Sequence, residues 1–213
     1  VTKANQTITF GALANKTYGD ADFGVSATAS SGLAVSFSTQ TLSTCTVSGS
    51  TVHIVAAGIC TIRASQAGDA NYNAAPNADQ SFTVNPKTLT ASIVGNPTKP
   101  YDGNANATLT SANFSLSGLV GSDSFTVTKT TGTYNSADVA TATAVSTSLV
   151  AGDFTPGAGT SASNYNLPAT ASGAGQITKA NATVVVTPYN VTYDGLPHSA
   201  TYTITGVNGE TGA

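Results

Sequence analysis

Short stretches of alternating apolar and polar residues dominate the chain. Alternation with a period of two indicates β-strands with one buried face, and a close succession of such strands is typical of an antiparallel β-sandwich. No stretch has the apolar period of 3.6 that marks an amphipathic helix, so we predict no helix. In the first 86 residues the predicted strands are 7–10, 23–28, 34–38, 45–47, 52–55, 59–63 and 80–84.

The same phrases recur along the chain and divide it into repeats. Lys3, Lys87 and Lys179 each open an alternating stretch that leads to a tyrosine turn, and we call the three stretches the first, second and third repeats. A period of this length indicates consecutive copies of one structural unit. The turns are Tyr18-Gly19-Asp20, Tyr101-Asp102-Gly103 and Tyr193-Asp194-Gly195, and an Asn-Tyr-Asn phrase around Tyr72 and Tyr165 comes before the second and third openings.

These patterns predict an all-β chain of tandem antiparallel, immunoglobulin-like β-sandwich domains whose third repeat is incomplete. We place the domains at 1–86, 87–179 and 180–213. The last segment holds enough residues for one hairpin, which we expect between 182–187 and 199–205. An isolated hairpin is marginally stable in water, so its apolar strands need a partner surface.

Composition narrows the possible partners. Charged residues make up only 8% of the chain and the net charge is −3, so there is no basic surface for nucleic acid. We also find no polybasic stretch, no apolar run long enough to span a bilayer and no signal peptide, and therefore expect no membrane insertion. Without Trp or Met, the cores must be built from Val, Ile, Leu, Phe and Tyr.

Each repeat resembles a known bacterial repeat family. The second repeat is similar to the YDG domain of exported repeat proteins, on the order of its motifs from Tyr101-Asp102-Gly103 to 175–178, and the third, at 187–195 and 206–210, to the start of an MBG repeat. The first repeat resembles bacterial immunoglobulin-like repeats at 6–10, 16–20, 32–37, 45–50, 58–62 and 68–73. The resemblance implies an extracellular, multidomain, adhesin-like protein, and it carries over no catalytic residue.

The tyrosine turns admit two interpretations. Asp20, Asp102 and Asp194 could help to bind a cation or a sugar, but Ca²⁺ takes about six to eight oxygen ligands and no Asp-x-Asp-x-Asp run supplies them. The favoured interpretation is structural: Asp caps its own backbone, Gly supplies a positive φ and Tyr buries its ring. We likewise expect Tyr72 and Tyr165 to anchor the loop before the last strand, as a tyrosine corner does.

The two cysteines, Cys45 and Cys60, are a candidate disulfide. In one flat meander both would lie opposite Ile54, roughly 10 Å apart, which is too far to bond. If the chain crosses between two sheets after Val55, both can point inward and meet. The resemblance to exported proteins favours the bond, with two buried free thiols as the alternative.

Nothing in the pattern predicts an enzyme, a metal site or a cofactor. The two histidines, His53 and His198, lie in different repeats, and most carboxylates flank Gly or Asn in turns. We therefore predict a non-catalytic spacer or stalk segment of a bacterial cell-surface adhesin, whose partners are the neighbouring repeats. The alternative is a carbohydrate- or protein-binding module that uses exposed Tyr and Asn in its end loops.

Overall fold

The structure is a computed structural model of the chain, and it describes residues 1–212. The chain is all-β, as predicted. Within the described residues the helical segments are three short 3₁₀ turns, Ser111–Asn113, Ala151–Asp153 and Ala162–Asn164. None of them is long or apolar enough to cross a membrane. The tandem-sandwich arrangement stays a prediction.

The strands follow the predicted alternation with few differences. In the first repeat they are β1 (Ile8–Phe10), β2 (Lys16–Thr17), β3 (Phe23–Gly24), β4 (Ala27–Ala29), β5 (Ser36–Thr39), β6 (Cys45–Ser48), β7 (Thr51–Ile54), β8 (Gly58–Ser65) and β9 (Ala78–Asn85). The expected strand 23–28 is divided into β3 and β4. The short β2 was not predicted, because two residues contain no alternation to detect.

The second repeat has more and shorter strands than the first, and the third has three. In the second repeat they are β10 (Lys87–Thr88), β11 (Thr90–Ile93), β12 (Thr98–Pro100), β13 (Asn106–Thr108), β14 (Phe114–Ser117), β15 (Phe125–Val127), β16 (Thr131–Tyr134), β17 (Ala144–Ser148), β18 (Phe154–Pro156), β19 (Tyr165–Asn166), β20 (Thr170–Ala174) and β21 (Gln176–Thr178). In the third repeat they are β22 (Thr183–Thr187), β23 (Thr201–Thr205) and β24 (Thr211–Gly212).

The chain is divided into two compact units. Their boundaries differ from those of the repeats, because unit 1 also contains segments of the second repeat. Unit 1 comprises Val1–Leu89 with two segments of the second repeat, Ser117–Phe125 and Pro156–Leu167. Unit 2 comprises Thr90–Leu116, Thr126–Thr155 and Pro168–Ala213. The domain boundaries 1–86, 87–179 and 180–213 stay a prediction.

A disulfide joins two sheets of unit 1. One sheet has the order β2-β9-β8-β5 and the other the order β3-β7-β6. Cys45 on β6 and Cys60 on β8 form the bond, with their Cα atoms 5.7 Å apart. The chain therefore changes sheets between β7 and β8, which confirms the crossing arrangement and excludes the flat meander. Both cysteines are fully buried.

The core of unit 1 draws residues from both disulfide-linked sheets. Phe82 and Val84 on β9 and Ile62 on β8 pack with Val52 and Ile54 on β7, and all five are nearly or completely buried. Along β9 the burial alternates, so that Phe82 and Val84 face inward while Thr83 and Asn85 are exposed. Alternation of this kind is the signature from which these strands were predicted.

Unit 2 contains a six-stranded sheet with the order β13-β16-β17-β20-β11-β14. Its interior includes Ile93, Leu109, Val145 and Ile177, each no more than 4% exposed. The buried Tyr134 donates its hydroxyl to the carbonyl of Pro97 at 3.0 Å. A polar group inside this core thus has a partner, as burial requires.

Among the described residues, parallel strand pairs join distant parts of the chain, which alternation alone could not show. They are β2 with β9, β10 with β19, β11 with β20, and β12 with β21. In each pair a strand from the start of a repeat meets one from its end. Parallel strands need a long connection, here most of the repeat, whereas antiparallel strands can be joined by a tight turn.

The third repeat forms the predicted hairpin. β22 pairs antiparallel with β23, so that Thr183 lies opposite Thr205, and β24 adds a short third strand. Val184, Val185 and Val186 are 55–60% exposed. The expected apolar surface is therefore present on this sheet.

We expect the disulfide to make a large contribution to the stability of unit 1. A cross-link over a sequence separation of 15 residues contributes about 3 kcal/mol in the chain-entropy model. Urea unfolding of the oxidised protein and of the Cys45→Ala/Cys60→Ala variant should differ by that amount. Reductant should shift the oxidised protein and leave the variant, which serves as the matched control, unchanged.

The same bond has a chemical readout that needs no unfolding model. The intact mass should lie two hydrogens below that of the reduced chain, and thiol titration in denaturant should detect none. Two titratable thiols in freshly purified protein would contradict the assignment.

Candidate functional site

The aspartate of each tyrosine turn accepts a backbone N–H near the turn. In the second and third turns the donor lies two residues after the aspartate, and in the first turn it lies three residues before it. Asp20 accepts the N–H of Thr17, Asp102 that of Asn104, and Asp194 that of Leu196, at 2.9, 3.2 and 2.9 Å. The turn glycines have positive φ angles of 87°, 81° and 76°, which a glycine adopts without strain. The aspartates therefore act within the turns, as the structural interpretation expected.

The closing strand of each repeat holds the first two turns in place. The N–H of Tyr18 donates to the carbonyl of Asn85, at the end of β9, at 2.9 Å. The N–H of Tyr101 donates in the same way to Thr178, at the end of β21, at 2.8 Å. Each turn thus begins where a parallel strand pair ends.

In unit 1 one carboxylate accepts hydrogen bonds from two of the tyrosines that the sequence analysis singled out. Tyr18 donates to Oδ2 of Asp123 at 3.0 Å, and Tyr165 donates to the same oxygen at 2.6 Å. The Tyr165 hydroxyl also accepts the N–H of Val120 at 3.0 Å. The two rings meet edge to face, with centroids 5.5 Å apart. We call Tyr18, Val120, Asp123 and Tyr165 the Asp123 cluster.

The Asn-Tyr-Asn phrases reinforce this arrangement. Tyr165 lies on β19, which pairs in parallel with β10 at the start of the second repeat. Its neighbour Asn164, only 5% exposed, accepts the N–H of Ala57 from the turn between β7 and β8 at 2.9 Å. In the first repeat Tyr72 occupies the corresponding place and forms a parallel bridge with Ala4.

The glycine of the first turn allows a close approach to the Asp123 cluster. A Cβ atom at Gly19 would overlap the side chain of Val120. Any larger residue would push the turn away from the loop that carries Asp123. The glycine is therefore required both by its φ angle and by this contact.

Burial and the carboxylate keep both hydroxyls protonated. Burial first, and then the hydrogen bond to Asp123, raises the pKa of Tyr165 to about 12. The pKa of Tyr18 is raised by the same two causes in the same order. A neutral phenol can donate to a carboxylate whereas a phenolate cannot, so the cluster favours the protonated tyrosines.

A related contact recurs in unit 2. The Tyr101 hydroxyl lies 3.5 Å from Oε1 of Glu210, and a Cβ atom at Gly103 would overlap the side chain of Asn208. Both acidic residues follow a glycine of positive φ, Gly121 or Gly209. The N–H of Asn208 donates to Glu210 and lowers the pKa of that carboxyl. Two tyrosine turns therefore meet an acidic turn of the repeat that follows.

The third turn differs from the other two. Tyr193 is 95% exposed, so the expected burial of its ring does not hold. Asp194 is nevertheless ordered by Leu196 and by His198, whose Nε2 lies 2.8 Å away. The N–H of Leu196 and then His198 lower the pKa of Asp194. This turn has the same aspartate-to-backbone hydrogen bond as the second turn but leaves its tyrosine ring in solvent.

Each of the two histidines lies beside an aspartate. His53 pairs with the exposed Asp22 at 2.6 Å, in the first repeat. His198 lies in the third repeat, within unit 2, beside Asp194. Within residues 1–212 no three His, Cys, Asp or Glu side chains are grouped as a metal site.

Sequence reasoning found the tyrosines but missed their partners. Asp123 lies in an ordinary Gly-Ser-Asp turn, and neither it nor Asn164 has a local feature that separates it from many similar residues. The long separation of 105 residues between Tyr18 and Asp123 hid the contact.

Comparison with known families identifies the middle of the chain. The family model of the YDG domain matches residues 85–173. A YDG domain is present there. Its limits overlap the predicted 87–179, and it contains the Tyr101 turn, Asp123 and Tyr165. No curated protein is similar enough to the chain to count as a match.

We expect Tyr165→Phe to weaken unit 1. The substitution removes one hydroxyl that accepts from Val120 and donates to Asp123, so two partly buried groups each lose a partner, at a cost of about 1–3 kcal/mol. Urea unfolding and hydrogen exchange of the Val120 amide measure the effect. Tyr202→Phe is the matched control, because Tyr202 is 59% exposed. Equal stability of the two variants would contradict the role of the cluster.

The Asp123 cluster should also make unit 1 sensitive to alkaline pH. Because the pKa of Tyr165 is raised in the folded state, its stabilising effect is complete below the usual tyrosine pKa of about 10. It is lost as the pH rises through about 12. Absorbance titration of the eight tyrosines should therefore show a late phase.

Asp123→Asn provides the control for this titration. It should move the late phase toward lower pH without abolishing it, since burial is the larger cause of the shift. A single phase near the usual pKa in the unaltered protein would show that Tyr165 is not held in this way.

Proposed function

We propose that this chain is a non-catalytic, extracellular spacer or stalk segment of a bacterial cell-surface adhesin. The observation that carries the proposal is the Asp123 cluster, in which the tyrosine turn of one repeat is bonded to a loop of the next. Repeats that contact their immediate neighbours add length at a constant cost per repeat. Fixed contacts between successive repeats are what a segment that transmits position and tension requires.

The repeat types on either side of the YDG domain support the same role. We propose that 1–86 is a bacterial immunoglobulin-like repeat and that 180–213 is the start of an MBG repeat. The order of motifs in each supports this assignment, and so does the reuse of the tyrosine turn. The partners of each repeat are then the neighbouring repeats of the same chain.

An exported location is supported by the disulfide and by the composition of the chain, and not by a targeting sequence. The Cys45–Cys60 bond persists in oxidising compartments, where secreted and surface proteins reside. Only 8% of the residues are charged, so the surface is solvated largely by hydroxyl and amide groups. Its hydration should depend little on the salt concentration around the cell.

The alternative function, a carbohydrate- or protein-binding module, would need a binding groove. Unit 2 carries an open groove of about 340 Å³ beside Lys129, Thr131 and Ser146. Hydroxyl and ammonium groups can bond a sugar. However, the lining contains no aromatic ring, which would supply the stacking contacts typical of sugar sites.

A binding assay separates the two functions. The oxidised chain should show no saturable binding on a glycan array or on immobilised host-matrix proteins. Lys129→Ala is the matched variant, because it removes the one cation from the groove. Micromolar binding that this variant abolishes would favour the binding module over the spacer.

A further inference from the structure

The third repeat exposes a strand edge that is covered in the second repeat, and it leaves unpaired the residues before the turn that are paired in both other repeats. In the second repeat, β11 lies between β14 and β20, with β20 running parallel to it. In the third repeat, β22 pairs with β23 and is the edge strand of its sheet. The lysine and tyrosine positions of the two repeats differ by a constant 92 residues. That offset places Val185 where the second repeat has Ile93.

Exposure differs at corresponding positions of the second and third repeats. Ile93 is 4% exposed, whereas Val185 is 55% exposed. The same comparison holds before the tyrosine turn. In the first two repeats the residues before the turn, β2 and β12, pair in parallel with the closing strands β9 and β21. The matching residues 190–192 belong to no strand, and Val191 is 50% exposed.

The two covered repeats agree on the register of the closing strand. Lys16 lies beside Val84 in the first repeat, and Lys99 lies beside Ile177 in the second. Val84 and Ile177 are at most 1% exposed. One residue further on, the carbonyl of Asn85 or Thr178 accepts the N–H of the turn tyrosine. A closing strand therefore contributes one buried apolar side chain and one carbonyl.

The second repeat also shows which segment can lie along the edge. A single stretch, 170–178, pairs with β11 through β20 and then with β12 through β21. A Cβ atom at Gly173 would overlap the carbonyl of Ile93. The covering segment must therefore have a glycine at this position and an apolar residue four positions later.

We infer that the third repeat is a strand-acceptor site. The site consists of the free edge of β22 together with residues 190–193. Its occupant is an extended segment of the closing-strand type that runs parallel to β22. In the register of the second repeat, Ala171 of such a segment would lie beside Thr183 and Ile177 beside Val191. The carbonyl after that apolar residue would accept the N–H of Tyr193. Addition of a strand to an exposed sheet edge is an established mode of peptide recognition.

The test uses the intact chain and a peptide of residues 168–179 as the probe. Titration into the isotope-labelled chain should give saturable shifts at 183–187 and 191–193, and exchange of the Tyr193 amide should slow. A peptide with Ile177→Asp should bind roughly ten- to a hundredfold more weakly, because it cannot bury an apolar side chain. A peptide with Gly173→Val should also lose binding, because its side chain meets backbone.

The register has an independent test. Both native cysteines are bonded, so an introduced cysteine is the one free thiol of the chain. Neighbouring strands lie about 4.8 Å apart, within the Cα separation that a disulfide spans. The Val191→Cys chain should therefore form a mixed disulfide with the Ile177→Cys peptide. Val207→Cys is the matched control, since Val207 is equally exposed at 50%.

Each remaining outcome overturns the inference. These outcomes are no saturable shifts, equal binding of all three peptides, or equal trapping at positions 191 and 207. Shifts confined to 90–101 would mean that the peptide replaces β20 in the second repeat instead. Sedimentation that shows a dimer whose β22 amides are protected without peptide would assign the edge to a second copy.

Discussion

The parallel pairing of a closing strand with the residues just before a tyrosine turn is the constraint on which the other contacts depend. It buries Val84 or Ile177 and offers a carbonyl to the turn tyrosine, so it fixes where that tyrosine lies. A parallel pair cannot be made by a hairpin. The turn is therefore held only after most of the repeat has folded, and the position of each tyrosine depends on the whole repeat.

The Asp123 cluster follows from that placement. Tyr18 and Tyr165 bring neutral hydroxyls to one carboxylate, so no cation takes part in these two bonds. The chain has only seven Lys and Arg residues, so cations are scarce. Hydrogen bonds between a neutral donor and a carboxylate involve one charge to desolvate instead of two, which suits a partly buried contact. Raised tyrosine pKa values are the electrostatic consequence.

The tyrosine turn is used more than once to connect successive repeats. A chain with few charged residues can therefore still make specific contacts between its repeats. The Tyr18 turn approaches Val120 and Asp123, and the Tyr101 turn approaches Asn208 and Glu210. In both cases a glycine without a side chain lets the next repeat come close. The third turn has the same aspartate-to-backbone hydrogen bond as the second with its tyrosine in solvent, so this local turn forms without a neighbouring surface.

The sequence by itself determined the elements that arise from local periodicity: the all-β class, most strands of the first repeat, the tyrosine turns and the hairpin of β22 and β23. Burial alternates along a strand, and the φ angle of a turn position determines which residue types fit there. Both features can therefore be detected from residues that are adjacent in the sequence. Only the tertiary structure decided the crossing that lets Cys45 meet Cys60, the parallel strand pairs and the role of Asp123. These features depend on residues that are far apart in the chain. A two-residue strand such as β2, or a single aspartate in a turn, has no local sequence pattern that indicates its partner.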